Sequence, residues 1–475
     1  MRKFISDVLF NALYQVLLII LPVITMPILS RRLGADGLGA YSYVFSIAQF
    51  LMIIISVGMN PFRIRRIAQT KRKLSSLNDE FWNIFFMQLC IGGVVTFLYT
   101  IVVFMMNSEY KELYLIQIIF LVGITFDIAW FFQGIEEFAQ VVIRNTLIKL
   151  LSVVLIILTV KSDADLPLYV LITSATNIVG SLIFWFNLRK HVQLPVFSWK
   201  IFKSLWRPGM IILLPQVFMQ VYTTLDKTIV GSLTTNVELS YYDQSQKIAR
   251  ILLALLSSLT IVMLPKMTDA VASGEKHKVF TYTKKAFEYT LLLSLVMFTI
   301  VFVNTKEFIV WFFSAEFSPM TINMLLVTVI IIVNPIGGIF SNQFALAMEK
   351  DKEYAIPLIV GSVVSLVGNY ILVPLYQSLG ATIVLIAVEV IVCVLRIVLV
   401  RKFIDLRLLF TSKIVAQIFI TILITGVGLM LPNLINNLFF NMMYKSIVIV
   451  ILFVGALILT KADVITDLKS IIKRN

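Results

Sequence analysis

Fourteen long apolar stretches run through this 475-residue chain, and its basic residues fall almost entirely in alternate gaps between them. A stretch of about 20 apolar residues at 1.5 Å per residue covers the hydrocarbon core of a bilayer while satisfying its own backbone hydrogen bonds. With 59% hydrophobic residues and a mean hydropathy of +0.95, the chain is far more apolar than a soluble core requires. The pattern predicts an all-α polytopic membrane protein. Its spans are expected at about 10–30, 41–59, 81–106, 113–133, 141–160, 167–187, 208–230, 240–265, 285–303, 319–343, 355–376, 378–400, 410–431 and 442–460.

The gaps on one side are densely basic. They carry Arg63, Arg65, Arg66, Lys71, Arg72 and Lys73, then Arg189, Lys190, Lys200, Lys203 and Arg207, then Lys266, Lys276, Lys278 and Lys284, and finally Arg401, Lys402 and Arg407. The opposite gaps carry only Arg31, Arg32, Lys111, Lys161 and Lys306, with Lys445 near a boundary. The positive-inside rule then places both termini in the cytoplasm, which requires an even number of spans. The net charge of +14 belongs to this topology and does not point to nucleic acid.

Met1, Arg2 and Lys3 ahead of an apolar run resemble the start of a signal peptide, but no small-residue cleavage site follows, so the segment is expected to remain as the first helix. Cys90 and Cys393 fall inside spans, and with two His in the chain no metal cage or cofactor site is expected. The longest gaps are about twenty residues, too short for a catalytic domain, and no phosphate-binding loop is present, so an enzyme is not expected.

Residues align weakly at an offset of 201: Gln15-Val16 with Gln216-Val217, Tyr41 with Tyr242, and Ala48 with Ala249. Six spans separate the copies, so both halves would share one orientation about an axis normal to the membrane. The expected organisation is a six-helix lobe over 1–200, a second over 201–409, and two further spans with a tail over 410–475.

An ionisable residue deep in a span is costly unless it faces a cavity or a partner. Lys149 lies about 12 Å into the fifth span, and Lys247 and Arg250 lie three residues apart on one face of the eighth. A bound phosphate or paired carboxylates would satisfy them, and Asp127 and Glu389 are the carboxylates at hand. Arg144 and Arg396 lie near the cytoplasmic ends of their helices, where anchoring competes with ligand contact. Arg31, Arg32 and Asp226-Lys227 lie near exterior ends, at an exit or among lipid headgroups. Pro22, Pro27, Pro215 and Pro335, the last followed by Gly337 and Gly338, are candidate hinges. Gly361, Ser365 and Gly368 share one face, as in small-residue helix packing.

Three segments carry a resemblance: Arg32-Leu33-Gly34 leading through Gly39 to Tyr41, Trp130-x-x-Gln133-Gly134-x-Glu136, and Tyr242-x-x-x-Gln246-x-x-Ala249. With the span number and orientation, the chain resembles the bacterial polysaccharide flippases for O-antigen and capsule repeat units. These belong to the multidrug/oligosaccharidyl-lipid/polysaccharide exporter superfamily, and the resemblance covers nearly the whole chain. It implies a MATE-like fold in the bacterial cytoplasmic membrane and alternating-access export of undecaprenyl-pyrophosphate-linked oligosaccharide. It also implies Lys149, Lys247, Arg250, Arg144 and Arg31 as headgroup contacts, and polysaccharide polymerases and glycosyltransferases as partners. Asp127 or Glu389 would serve H⁺ or Na⁺ coupling or charge pairing. A cation-coupled multidrug exporter and a lipid II flippase of peptidoglycan synthesis are the alternatives.

Overall fold

The computed structural model describes residues 2–56, 60–71, 73–404, 406, 409 and 411–460. Helices dominate them: α1 (Arg2–Ser56), α2 (Asn60–Thr70), α3 (Leu74–Met105), α4 (Lys111–Thr125), α5 (Ala129–Gly134), α6 (Phe138–Thr159), α7 (Leu166–Leu188) and α8 (Trp199–Gln220). There follow α9 (Asp226–Leu233), α10 (Asn236–Ala272), α11 (Lys276–Phe312), α12 (Thr321–Val327), α13 (Ile330–Gly338), α14 (Asp351–Val400), α15 (Ser412–Met430) and α16 (Leu438–Leu459). Ten helical stretches among the described residues are long and apolar enough to cross a membrane. Their outer faces are apolar, as on α3, where Val94, Phe97, Leu98, Ile101 and Val102 are exposed.

Two of the ten are too long for one crossing. The stretches Tyr14–Ser56 and Lys352–Val400 have 43 and 49 residues, whereas about 20 span the hydrocarbon. Each contains a residue with positive φ, Gly34 at 66° in α1 and Gln377 at 51° in α14. The expected gaps at 31–40 and around 377 are therefore turns within continuous helical stretches. In α1 the helix runs on through Pro22 and Pro27, and its backbone departs from helical values at Gly34. The prolines are not where this helix breaks, because a glycine without Cβ adopts the left-handed turn at little cost. Gly39, a turn further on, meets a second constraint: a Cβ there would stand 1.8 Å from the Asn236 carbonyl oxygen.

Pro335 behaves differently. It lies inside α13, which passes directly into a π-helical stretch over Ile339–Ala345. Another π-helical stretch, Val221–Leu225, follows α8. Such stretches mark places where helical hydrogen bonding shifts register. Pro215 in α8 lies among residues whose side chains are outside the described set.

Contacts divide the chain into two compact units, residues 1–240 and 241–475, with α10 running across the division. Counting spans alone puts a boundary near 200. The difference arises because α9 packs on the second half of α1: Ser46 and Thr228 share a hydrogen bond of 2.7 Å, and Gly231 lies against Tyr43. In the second unit α15 and α16 dock on α11, where Lys445 donates to Glu307 at 2.7 Å and Asn304 to Ser446 at 3.3 Å. Lys445 is thus a buried, paired cation inside the protein.

Candidate functional site

In the first unit, α6 shows how helical spacing sorts its residues. Ile143, Leu147, Leu150, Val154 and Leu158 recur at three and four residues and form an exposed apolar stripe. Lys149 projects from the opposite side, with Val142 and Ile156 each two turns away and buried. Protein crowds Lys149, yet its side chain is exposed. No carboxylate among the described residues pairs with it.

One turn earlier on α6, Arg144 is half-buried. Its Nε donates to the Gly180 carbonyl at 2.6 Å, Nη1 donates to Asn145 Oδ1 at 2.6 Å, and the guanidinium lies 4.5 Å from the centre of the Phe184 ring. A Cβ on Gly180 would reach within 2.7 Å of Nη2, so the glycine is what lets the guanidinium lie against α7. Tyr14 of α1 bonds to Asn145 and shares the electrostatic neighbourhood of Arg144. So does Asp127, whose charge acts on both Arg144 and Arg63.

Asp127 sits where the fourth span is interrupted. Between α4 and α5 the helical ladder is lost, and carbonyls are left without intrahelical donors. Gln88 of α3 supplies them, its Nε2 lying 3.2, 2.9 and 2.9 Å from the carbonyls of Ile124, Thr125 and Asp127. Trp185 Nε1 donates to the Phe126 carbonyl at 2.9 Å. The Asp127 side chain accepts from Ala129 N, the first residue of α5, at 2.9 Å. The break is therefore locked by side chains, which leaves the Asp127 carboxylate as an anion facing cations.

Arg63 of α2 is the cation that the sequence reading missed. It is 1% exposed, its Nη1 donates to Gln88 Oε1 at 2.5 Å and its Nη2 to the Ser56 carbonyl at 2.6 Å. Trp130 donates to the same Gln88 oxygen at 3.2 Å and stacks 5.7 Å from the guanidinium. Burial pulls the guanidinium down to about 10 while Asp127 opposes that fall, so Arg63 stays charged at neutral pH. The rest of the tryptophan segment is explained by α2 as well. A Cβ on Gly134 would come within 2.6 Å of Ile67, and Glu136 pairs with Lys71 at 2.6 Å. Arg63 looked like one more loop charge, and only its partners 25 and more residues away reveal it.

Midway along α1, just before the turn at Gly34, Arg31 is exposed and donates to the Pro27 carbonyl at 2.9 Å. Arg32 has a structural task, its Nη1 lying 2.7 and 2.5 Å from the Ile157 and Val160 carbonyls that end α6.

The second unit holds the remaining candidates. Lys247 and Arg250 share a face of α10 as expected, but the acid beside them is Asp243, buried and 2.6 Å from Lys247 Nζ. Arg250 is exposed, with Gln246 accepting from it at 3.2 Å. Glu389 is buried in α14 and accepts from Asn334 of α13 at 3.0 Å. Cys393 and Arg396 follow on the same face, and Arg396 Nη1 lies where a Cβ on Gly337 would be 3.3 Å away. Among the described residues, no group of three or more His, Cys, Asp or Glu is placed to hold a metal ion.

Residues 4–271 match the family described as polysaccharide biosynthesis protein, and residues 212–371 match the MatE family. Two curated proteins named "Putative O-antigen transporter" are similar along most of their length. That of Escherichia coli (strain K12) is 21% identical over 407 residues, 83% of this chain and 96% of that protein. That of Shigella dysenteriae is 22% identical over 385 residues, 78% and 93%. Among solved structures, "Lipid II flippase MurJ, inward closed conformation" matches with a TM-score of 0.79 at 13% identity, over 97% of this chain and 100% of that one. An inward-facing multidrug resistance MATE family transporter of the MOP superfamily matches with a TM-score of 0.60 at 15% identity, over 84% and 99%. At these identities the structural likeness is one of fold.

Proposed function

The chain belongs to the polysaccharide biosynthesis protein family, and on that premise we propose that it carries a polyprenyl-diphosphate-linked oligosaccharide across the bacterial cytoplasmic membrane by alternating access. The observation that carries this reading is a surplus of cations: Arg63 and Arg144 share a single carboxylate, Asp127, and Lys149, further along α6, pairs with no acid among the described residues. A diphosphate headgroup supplies the missing negative charge, Lys149 is the accessible contact and Arg144 the half-buried one, and the polyprenyl tail stays in lipid. Lys247, Arg250 and Arg31 are further contacts along the path. Fourteen spans in two six-helix lobes with two appended helices suit this task, with the turns at Gly34 and Gln377 each dividing one long helix into two crossings. Both termini then lie in the cytoplasm. The π-helical stretches after α8 and in the Pro335 region are the bending points.

The glycan could be an O-antigen or capsule repeat unit, as the curated relatives' names suggest, or the peptidoglycan precursor lipid II. The second reading is favoured by the fold match to the lipid II flippase, which covers both chains almost entirely. A cation-coupled exporter of drugs would place its recognition on acids, and Glu389 held by Asn334 is the group that would bind H⁺ or Na⁺ in either case. Expressing the chain in two hosts separates the glycans. One host lacks its repeat-unit flippase and is scored for surface polymer, and the other is depleted of its lipid II flippase and scored for survival. Rescue of one host names the substrate; rescue of neither, at normal membrane levels of the protein, contradicts the proposal.

A further inference from the structure

Between α7 and α8 the chain runs extended over residues 192–198, outside the membrane-spanning stretches and on the side that the positive-inside rule assigns to the cytoplasm. This strap is clamped. Asn78 of α3 donates to the Leu194 carbonyl at 3.2 Å and accepts from Gln193 N at 2.9 Å; Asn83 donates to Val196 at 3.4 Å and accepts from Ser198 N at 2.9 Å; Trp82 donates to the Gln193 carbonyl at 3.0 Å. Asn78 and Asn83 are themselves buried. The clamp holds out large apolar side chains: Leu194 is 83% exposed and Trp199 66%, with Phe197 and Trp206 also exposed.

Two properties identify what meets this surface. Arg189, Lys190, Lys200 and Lys203 flank the apolar residues and are exposed, and no Asp or Glu occurs from 189 to 207. Extended backbone is costly in an apolar medium because its polar groups lack partners. Here α3 side chains satisfy three carbonyls and two amides of the strap, which lowers the cost of its side chains entering an apolar layer. Aromatic residues beside lysines, with no acids, match the headgroup boundary of an anionic leaflet.

We propose that residues 189–206 form an interfacial anchor that seats Leu194, Phe197 and Trp199 at the acyl boundary of the cytoplasmic leaflet and binds anionic lipid through Lys190, Lys200 and Lys203. The inference is independent of the transported substrate.

The test uses the full chain with Cys90 and Cys393 replaced by Ala and a spin label at Leu194→Cys or Trp199→Cys. It is reconstituted in phosphatidylcholine bilayers with or without phosphatidylglycerol. Collisions with oxygen, which partitions into lipid, and with a water-soluble nickel chelate report depth. With phosphatidylglycerol, oxygen collisions are expected to exceed nickel collisions at both sites, placing the labels roughly 5–10 Å into the boundary. Removing phosphatidylglycerol, or introducing K190Q, K200Q and K203Q together, should raise nickel access at least twofold. Asn78→Ala with Asn83→Ala should increase label mobility. Nickel access that is high and indifferent to phosphatidylglycerol overturns the proposal. So do labels shielded from both reagents in native membranes but water-exposed after purification, because that pattern means a protein partner covers the strap.

Discussion

Both units seat an arginine against a helix glycine, but they balance its charge differently. In the first, Arg144 lies on Gly180 and shares one carboxylate, Asp127, with the buried Arg63, while Lys149 adds a third cation. In the second, Arg396 lies by Gly337 with Glu389 two turns away on its own helix, Lys247 pairs with Asp243, and Lys445 pairs with Glu307. A low-dielectric interior tolerates one-for-one pairs as structure, whereas an unbalanced cation awaits an anion from elsewhere. On the proposed function, the first unit's surplus serves binding, whereas in the second unit the Lys445–Glu307 pair serves cohesion and Lys247, held by Asp243, is a weaker contact that also serves cohesion.

Substitutions that should separate these roles begin with Arg63. Arg63→Ala leaves the Ser56 carbonyl without its side-chain donor and takes from Gln88 Oε1 one of its two donors in a fully buried site, and a cost of about 1–3 kcal/mol is expected. The measurement is the yield of folded protein, and Arg63→Lys should recover part of it, since the charge returns without the two-pronged geometry. Lys149→Ala should do the reverse. It orphans no acid among the described residues, so thermal stability in detergent should hold while the transport rate falls at least about tenfold, which corresponds to about 1.4 kcal/mol of headgroup interaction. A matching fall in stability would make Lys149 structural.

Gly180→Ala is a milder version of the same test. Its Cβ meets the flexible end of Arg144, so stability should drop by roughly 1 kcal/mol while transport falls severalfold as the guanidinium is displaced. Lys247→Ala leaves buried Asp243 without that cation; about 1–2 kcal/mol of stability should go, with transport per folded molecule changed less than in Lys149→Ala. Gly337→Ala has the smallest expected effect, because its nearest neighbours are 3.3 Å away and need yield only slightly.

How much of this could be read from the chain depended on the distance between partners. Local hydropathy located the ten stretches that are long and apolar enough to cross a membrane among the described residues, and the turn near 377 fell where the eleventh and twelfth spans were expected to meet. The Asp243 and Lys247 pair was also within reach, since residues four apart share a helix face, though the acids considered were Asp127 and Glu389. Arg63 was not legible: its burial depends on Gln88 and Trp130, which come from two other helices. Nor were Asn78 and Asn83, whose partners lie more than 100 residues ahead. The lesson of Pro22 and Pro27 is physical too, because a proline lowers the cost of bending but Gly34 supplies the turn itself.

The central claim is that unbalanced cations in the first unit recognise a diphosphate-linked glycan lipid. It is tested most directly by reconstituting the purified protein in liposomes with a polyprenyl-diphosphate oligosaccharide labelled on its sugar, and following the label's loss of access to an externally added glycosidase. Protein-dependent movement is predicted, slowed at least about tenfold in Lys149→Ala and abolished when the diphosphate is replaced by a neutral linker. Movement at the same rate with the neutral linker, or in Lys149→Ala, would contradict the account.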